Sequence, residues 1–200
     1  LRHIAATHPS EQRGWVGMCG TAGDHQLVRE AIAATYGMIE MIDDGVGRIL
    51  NTIEALGQTD NTIVVFTSDH GDMMGDHGFM LKGYIHYRGT LQVPMVAAGP
   101  GIEPGRTSSL ACSIDLGPTL MDLAGLDHYD GIQGKSLVPV LDDPATAVRD
   151  QVLIEDDLPA ATAARAPIPG KTRTLVTSES RITRNSDGEL QLFDLVADPD

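Results

Sequence analysis

Between Asp24 and Gly57 the residues Val28, Ile32, Thr35, Ile39, Ile42, Val46, Ile49, Ile53 and Leu56 recur at three- and four-residue steps. That spacing predicts one long helix with a single apolar stripe, Asp24 as its N-cap and Gly57 as its C-terminal stop. Asp43 and Asp44 mostly fall off the stripe and diverge on a helix, so they read as solvated rather than as a carboxylate pair for acid–base work. Met38 and Met41 read as core filler. The period then changes. Thr62 to Thr67 is a continuous apolar, β-branched run, which fits a strand buried on both faces in a parallel sheet covered by helices. Val93 to Ala98 reads as a second buried strand, with Pro94 at its start where a missing N–H is tolerated.

Further on, Leu110 to Ile114 reads as a short strand. Asp115 is expected to cap a helix from about Leu116 to Ala124, with Pro118 in the first turn and Gly125 as the stop. Residues 126–150 form a polar connection with one apolar piece, Leu137 to Leu141, and Gln151 to Ile154 is a strand candidate. Residues 156–172, rich in Ala and Pro, look linker-like and mobile. After them the pattern becomes antiparallel β: Thr174–Thr177, Arg181–Thr183 and Leu190–Phe193 are short strands, and Asn185-Ser186-Asp187-Gly188 is a hairpin turn. A boundary near 150 follows, with an α/β domain over 1–150 and a small antiparallel sheet over 151–200. Residues 1–23, punctuated by four glycines, read as a loop-rich approach to the first helix. His3, His8 and His25 read as lone solvated histidines.

Composition narrows the function classes. Two hundred residues suffice for one ordinary domain with a core. A hydrophobic fraction of 42% with 21% charged residues describes a globular chain. No apolar run is long enough to span a bilayer, so no membrane segment is expected. A formal charge of −14 argues against nucleic-acid binding, which calls for a basic stripe. An acidic protein that handles anionic esters needs local cations or a metal to offset its own field. Cys19 and Cys112 lack disulfide-framework or metal spacing and read as two ordinary thiols. Scarce cysteine and acidic composition lean towards the cytoplasm. The chain starts at Leu1 and stops inside the polar turn DLVADPD, so both ends are expected to be cuts.

The chemistry gathers directly behind the first strand. Asp69, His70, Gly71, Asp72, Asp76 and His77 follow its carboxyl end, where ligands sit in open α/β sheets. Asp69 offers a hard oxygen and His70 an imidazole nitrogen, a mixture that suits Mn, Zn or Fe and is tolerable for Ca. Neighbouring side chains on a strand point apart, so the two share an ion only if the backbone turns at Gly71. The same tripeptide also serves as a plain polar turn. The long segment from Ser68 to Gln92 is of the kind that is either functional or disordered, and it supplies the cations Lys82 and Arg88 together with His86.

Five pieces, in order, resemble the sulfatase family of the alkaline phosphatase superfamily: MIDDGVGRILNTIEALG, NTIVVFTSDHGDMMGDHG, LKG with LQVPMVAAGPGI, SIDLGPTLMDLAGL with DGIQGKSLVPVL, and ELQLFDLVADPD. The resemblance runs from about Tyr36 to the end. It implies part of an α/β, alkaline-phosphatase-like, mostly parallel sheet flanked by helices, followed by a small antiparallel C-terminal sheet. It implies that Asp69 and His70 bind one divalent cation. His at the second place, where many sulfatases have Asn, resembles the phosphonate monoester hydrolases and favours Mn, Fe or Zn over Ca. Lys82 would contact the anionic oxygens of a small sulfate, phosphonate or phosphate ester, and metal plus ammonium would stabilise charge on the bridging oxygen. His86 is either a proton donor to the leaving group or a plain loop histidine. Asp72, Asp76 and His77 read as supporting or turn residues, and Arg88 receives no role.

The family's nucleophile is a Cys or Ser in C/S-x-P-x-R, converted to formylglycine. Neither M-C-G-T-A around Cys19 nor A-C-S-I-D around Cys112 fits that pattern, and the family's first metal-binding strand has no counterpart. The resemblance therefore implies a C-terminal half with its nucleophile upstream, inactive when isolated. Assembly into a homo-oligomer stays open. Two other readings stand beside it: a phosphoryl-transfer enzyme of the same superfamily, and a catalytically dead sulfatase-like module that binds an anionic partner.

Overall fold

The computed structural model describes residues 25–159 and 170–197. The expected N-cap Asp24, the stretch 1–23 with His3, His8 and Cys19, and residues 160–169 of the linker lie outside the described residues. The chain divides into two compact units: residues 1–62, 66–96 and 157–171 form one, and residues 63–65, 97–156 and 172–200 form the other.

In the first unit, helix α1 spans His25–Ala55. It ends as its glycine foretells: Gly57 takes φ +64, its N–H donates to Glu54 O, and the Gln58 N–H donates to Ile53 O. These two bonds satisfy carbonyls that the last turn leaves open. The stripe is less covered than its apolarity suggests, because no residue of α1 is fully buried. Ile39, Ile42 and Ile49 remain 51–59% exposed, and Met38 and Met41 are exposed as well rather than filling a core. Periodicity identifies an apolar face; it does not supply the surface that covers it. The N-terminal part of α1 does find a neighbour at Met74, whose sulfur lies 4.0 Å from Thr35 Oγ1.

Strand β1 runs Val64–Thr67 and pairs with β2, Met95–Ala98. Burial on both faces is not realised in β1: none of its residues is fully buried, and Phe66 is exposed. A two-stranded ladder offers little surface to bury against. Between the two strands the chain is ordered rather than loose. It makes a 3₁₀ turn at Asp76–Gly78 and a short helix α2, Arg88–Leu91. Met73, Phe79, Ile85 and Tyr87 are buried there, and the Thr90 hydroxyl donates to the carbonyls of Ile85 and Tyr87.

The second unit holds helix α3, Leu116–Leu123, helix α4, Val138–Asp142, and most of a four-stranded sheet. Gly125 takes φ +66 beyond α3, as a C-terminal stop requires. The expected strand at Leu110–Ile114 is not formed. Residues 110–112 carry no regular structure, and Ser113–Asp115 is a 3₁₀ turn closed by the Asp115 carboxylate accepting from Cys112 N at 2.9 Å. Nor does the Asp115 side chain cap α3. It is fully buried, also accepts from Lys135 N at 2.8 Å, and forms an ion pair with the Arg149 guanidinium. Thr119 extends the hub, donating to Asp115 O and accepting from Leu137 N.

The sheet comprises β3 (Gln151–Asp157), β4 (Lys171–Thr177), β5 (Ser180–Asn185) and β6 (Leu190–Asp194), in that order. Strands β4, β5 and β6 pair antiparallel, with Thr174 opposite Thr183 and Ile182 opposite Leu192. Gly188 at φ +92 makes the hairpin turn that the Asn-Ser-Asp-Gly segment announces. One face of this sheet buries polar groups that satisfy one another: Thr174 with Thr183 at 2.7 Å, and Thr172 with Asn185 at 3.0 Å.

Candidate functional site

The site is assembled at the end of β1, where the chain leaves the sheet. Ser68 Oγ donates to the His70 carbonyl at 2.9 Å, and the His70 N–H donates to Asp69 Oδ1 at 3.0 Å. This local folding turns the two neighbouring side chains towards each other, and Asp69 Oδ2 comes within 3.4 Å of His70 Nε2. The turn depends on Gly71. Its N–H donates to Thr90 O at 3.1 Å, and a Cβ there would collide with the carbonyl oxygen of Gly89. Gly71→Ala is therefore expected to destabilise the chain by about 1–3 kcal/mol through backbone displacement. Urea denaturation against the unsubstituted chain measures it.

His70 has a defined orientation. Its Nδ1 lies 3.1 Å from Gly71 O, and a carbonyl only accepts, so Nδ1 carries the hydrogen. In the neutral ring Nε2 then accepts from the Lys82 ammonium, whose Nζ is in hydrogen-bond contact with it. Fixing the distal nitrogen on a backbone carbonyl is how metal-binding histidines are usually held. Lys82 is itself anchored, because its N–H donates to Asp72 Oδ1 at 2.7 Å. The Asp69 carboxyl is held below its ordinary value. Partial desolvation pushes it up, but His70, the N–H groups of Asp69 and His70, and the Lys82 ammonium together outweigh that push.

The donor set suits a divalent cation. Two ligands about 2.1 Å from one ion at a tetrahedral angle lie about 3.4 Å apart, which matches the Asp69–His70 separation. An oxygen and an imidazole nitrogen supply half or less of a usual coordination shell. Among the described residues no cluster of three or more His, Cys, Asp or Glu is present to complete it.

Of the residues singled out in the sequence, the structure brings Asp69, His70 and Lys82 together. His86 lies in the irregular, buried segment Ile85–Tyr87 and is 8% exposed. Arg88 is exposed and donates to Gln92 Oε1. Asp43 and Asp44 are exposed, as their place off the stripe suggests. Asp72, read from the sequence as a supporting or turn residue, holds the Lys82 N–H, a pairing the sequence did not name; sequence reasoning also missed the close approach of Gly89 to Gly71. Both arise from contacts across about ten to twenty residues that no local pattern encodes. Among the described residues no helix is long and apolar enough to cross a membrane.

The sulfatase family matches residues 3–126, and the family of N-sulphoglucosamine sulphohydrolase C-terminal regions matches residues 75–200. The arylsulfatase of Clostridium perfringens is 34% identical over 180 residues, covering 87% of this chain and 35% of the relative. The choline-sulfatase of Rhizobium meliloti is 35% identical over 179 residues, covering 86% and 32%. Among solved structures, the phosphonate monoester hydrolase of Agrobacterium radiobacter superposes with a TM-score of 0.72 at 31% identity, covering 82% of this chain and 34% of its own. The chain belongs to the sulfatase family, and its fold is the mixed α/β, alkaline-phosphatase-like fold of those relatives. Sulfatases are sulfuric ester hydrolases that generally use a divalent metal and a formylglycine nucleophile. The chain spans about a third of the length of the curated relatives it matches.

Proposed function

We propose that this chain is the metal-and-lysine half of a hydrolase that cleaves small sulfate monoesters, or the isosteric phosphonate and phosphate esters. The observation that carries the reading is the convergence of Asp69 Oδ2, His70 Nε2 and Lys82 Nζ on one exposed point at the end of β1. Asp69 and His70 would hold one divalent ion, with Mn, Fe or Zn suited to the imidazole and Ca less so. Bound there, the ion would act as a Lewis acid on the ester's oxygens. Lys82, released from the imidazole lone pair, turns its ammonium to the same anion. Its backbone stays tied to Asp72, so little reorganisation accompanies the step. His86 is assigned proton donation to the departing oxygen, with its burial favouring a fixed ring over a mobile one.

The remaining metal ligands and the formylglycine are assigned to a preceding part of the parent protein. The exposed apolar stripe of α1 supports this, since contiguous apolar surface commonly marks a face that another segment covers. Domain limits near residue 150 and a cytoplasmic setting belong to the same reading. The test is steady-state hydrolysis of an aryl sulfate and an aryl phosphonate by the parent protein and its Lys82→Ala variant. The expected result is a 10²- to 10³-fold lower kcat with metal content unchanged, on the order of the loss of one preorganised charge donor. Unaltered kcat on both esters contradicts the reading, and the ratio of the two wild-type rates decides sulfate against phosphonate.

A further inference from the structure

His77 sits at the centre of a paired loop. The Met74 N–H donates to Met80 O at 3.0 Å, and the Gly75 N–H donates to Phe79 O at 2.7 Å. The Asp72 carboxylate accepts from Lys82 N at 2.7 Å. All three pairs are symmetric about residue 77, so the segment is a hairpin-like turn with His77 at its tip and Lys82 on its open end. The tip is built at a cost. Met74 at φ +47 and His77 at φ +51 both occupy the left-handed region, which side-chain-bearing residues rarely enter and His tolerates better than most. What the tip touches is Tyr87: the two rings stack at 4.0 Å between centroids and 18° between planes. Tyr87 is 5% exposed and its carbonyl accepts from Thr90, whose own carbonyl holds the Gly71 N–H. The stack thus joins the Lys82 hairpin to the framework that shapes the Asp69–His70 turn.

We infer that His77 is a positioning residue: by clamping the hairpin tip on Tyr87 it sets where the Lys82 ammonium lies relative to Asp69 and His70. The inference rests on the assignment of Lys82 to the ester site. The ring and the backbone can be separated by substitution. His77→Asn keeps a residue that accepts the left-handed backbone but removes the stacking ring, whereas His77→Phe restores a ring.

The experiment measures kcat, KM and bound metal for His77→Asn, His77→Phe, Lys82→Ala and the His77→Asn/Lys82→Ala double variant, all in the full-length parent. The expected result for His77→Asn is a kcat lowered roughly 10- to 100-fold, as for an ångström-scale misplacement. Metal content stays unchanged, His77→Phe recovers part of the loss, and the Asn substitution has no further effect once Lys82 is Ala. If Lys82→Ala is damaging and His77→Asn is not, the inference is overturned while the site assignment survives. Additive losses in the double variant, or loss of metal and fold together in both single His77 variants, also overturn it. If Lys82→Ala itself is silent, the site assignment fails and the inference fails with it.

Discussion

Asp69→Ala in the full-length parent protein is expected to lower kcat/KM by a factor on the order of 10³ or more and to remove most of the bound divalent metal, as the proposed role of Asp69 as a ligand of a Lewis-acid site implies. The Asp69 carboxylate acts electrostatically as well as by coordination in this reading. Asp69 is the carboxylate in contact with His70, and its desolvation is outweighed by that ring, the nearby N–H groups and the Lys82 ammonium, which hold its carboxyl below the ordinary value and favour the charged form. The sign for pH follows from that direction. A carboxyl held below its ordinary value stays ionised, and so able to bind metal, until the pH falls through its lowered value. Activity lost through this group therefore disappears on the acid side only. Asp69→Asn, which keeps the shape and removes the charge, should recover little. Metal analysis alongside kinetics separates this outcome from misfolding, because an exposed side chain such as Asp69 contributes little to stability.

Asp115→Ala is expected to cost about 3–5 kcal/mol of unfolding free energy, the range for removing one partner of a buried ion pair. Asp115 is fully buried and the Arg149 side chain is only 10% exposed. Removing the carboxylate strands the guanidinium, whose Nε already lacks a partner among the described residues. It also orphans the N–H groups of Cys112 and Lys135. Asp115→Asn retains an acceptor and should fall between wild type and Ala. Replacing both partners, Asp115→Leu with Arg149→Met, should be milder than Ala alone, because no buried charge is left unpaired. Urea denaturation of the four proteins measures the series, and an Ala loss under about 1 kcal/mol would place the pair among surface bridges instead.

The elements legible in the sequence are those whose cause is local. The α1 stripe with Gly57, the Pro118–Gly125 bracket of α3 and the Asn185–Gly188 turn each carry their own punctuation, and each forms where expected. The structure brings Asp69, His70 and Lys82 together, and that proximity can be anticipated because acidic, imidazole and ammonium groups clustered beyond a strand have little packing use. The misreadings share a different cause. Leu110, Cys112 and Ile114 alternate like a strand, but the Asp115 carboxylate, held by its distant partners Lys135 and Arg149, closes a turn on the Cys112 N–H there instead. Met38, Met41 and β1 were expected in a core because apolarity reports what a residue prefers, not which surface is present to meet it. Thr172, Thr174 and Thr183 are buried for the converse reason: their hydroxyls satisfy one another or Asn185 across the sheet, and polar residue types conceal that.

The measurement that bears most directly on the central claim is anomalous diffraction from crystals of the parent protein, collected at the absorption edge of the metal found in it. The expected result is a single peak about 2.0–2.3 Å from both Asp69 Oδ2 and His70 Nε2, lost in Asp69→Ala crystals. A peak that avoids these two atoms, or that persists unchanged without Asp69, would contradict the assignment of this turn as half of a metal-dependent ester-hydrolysing site.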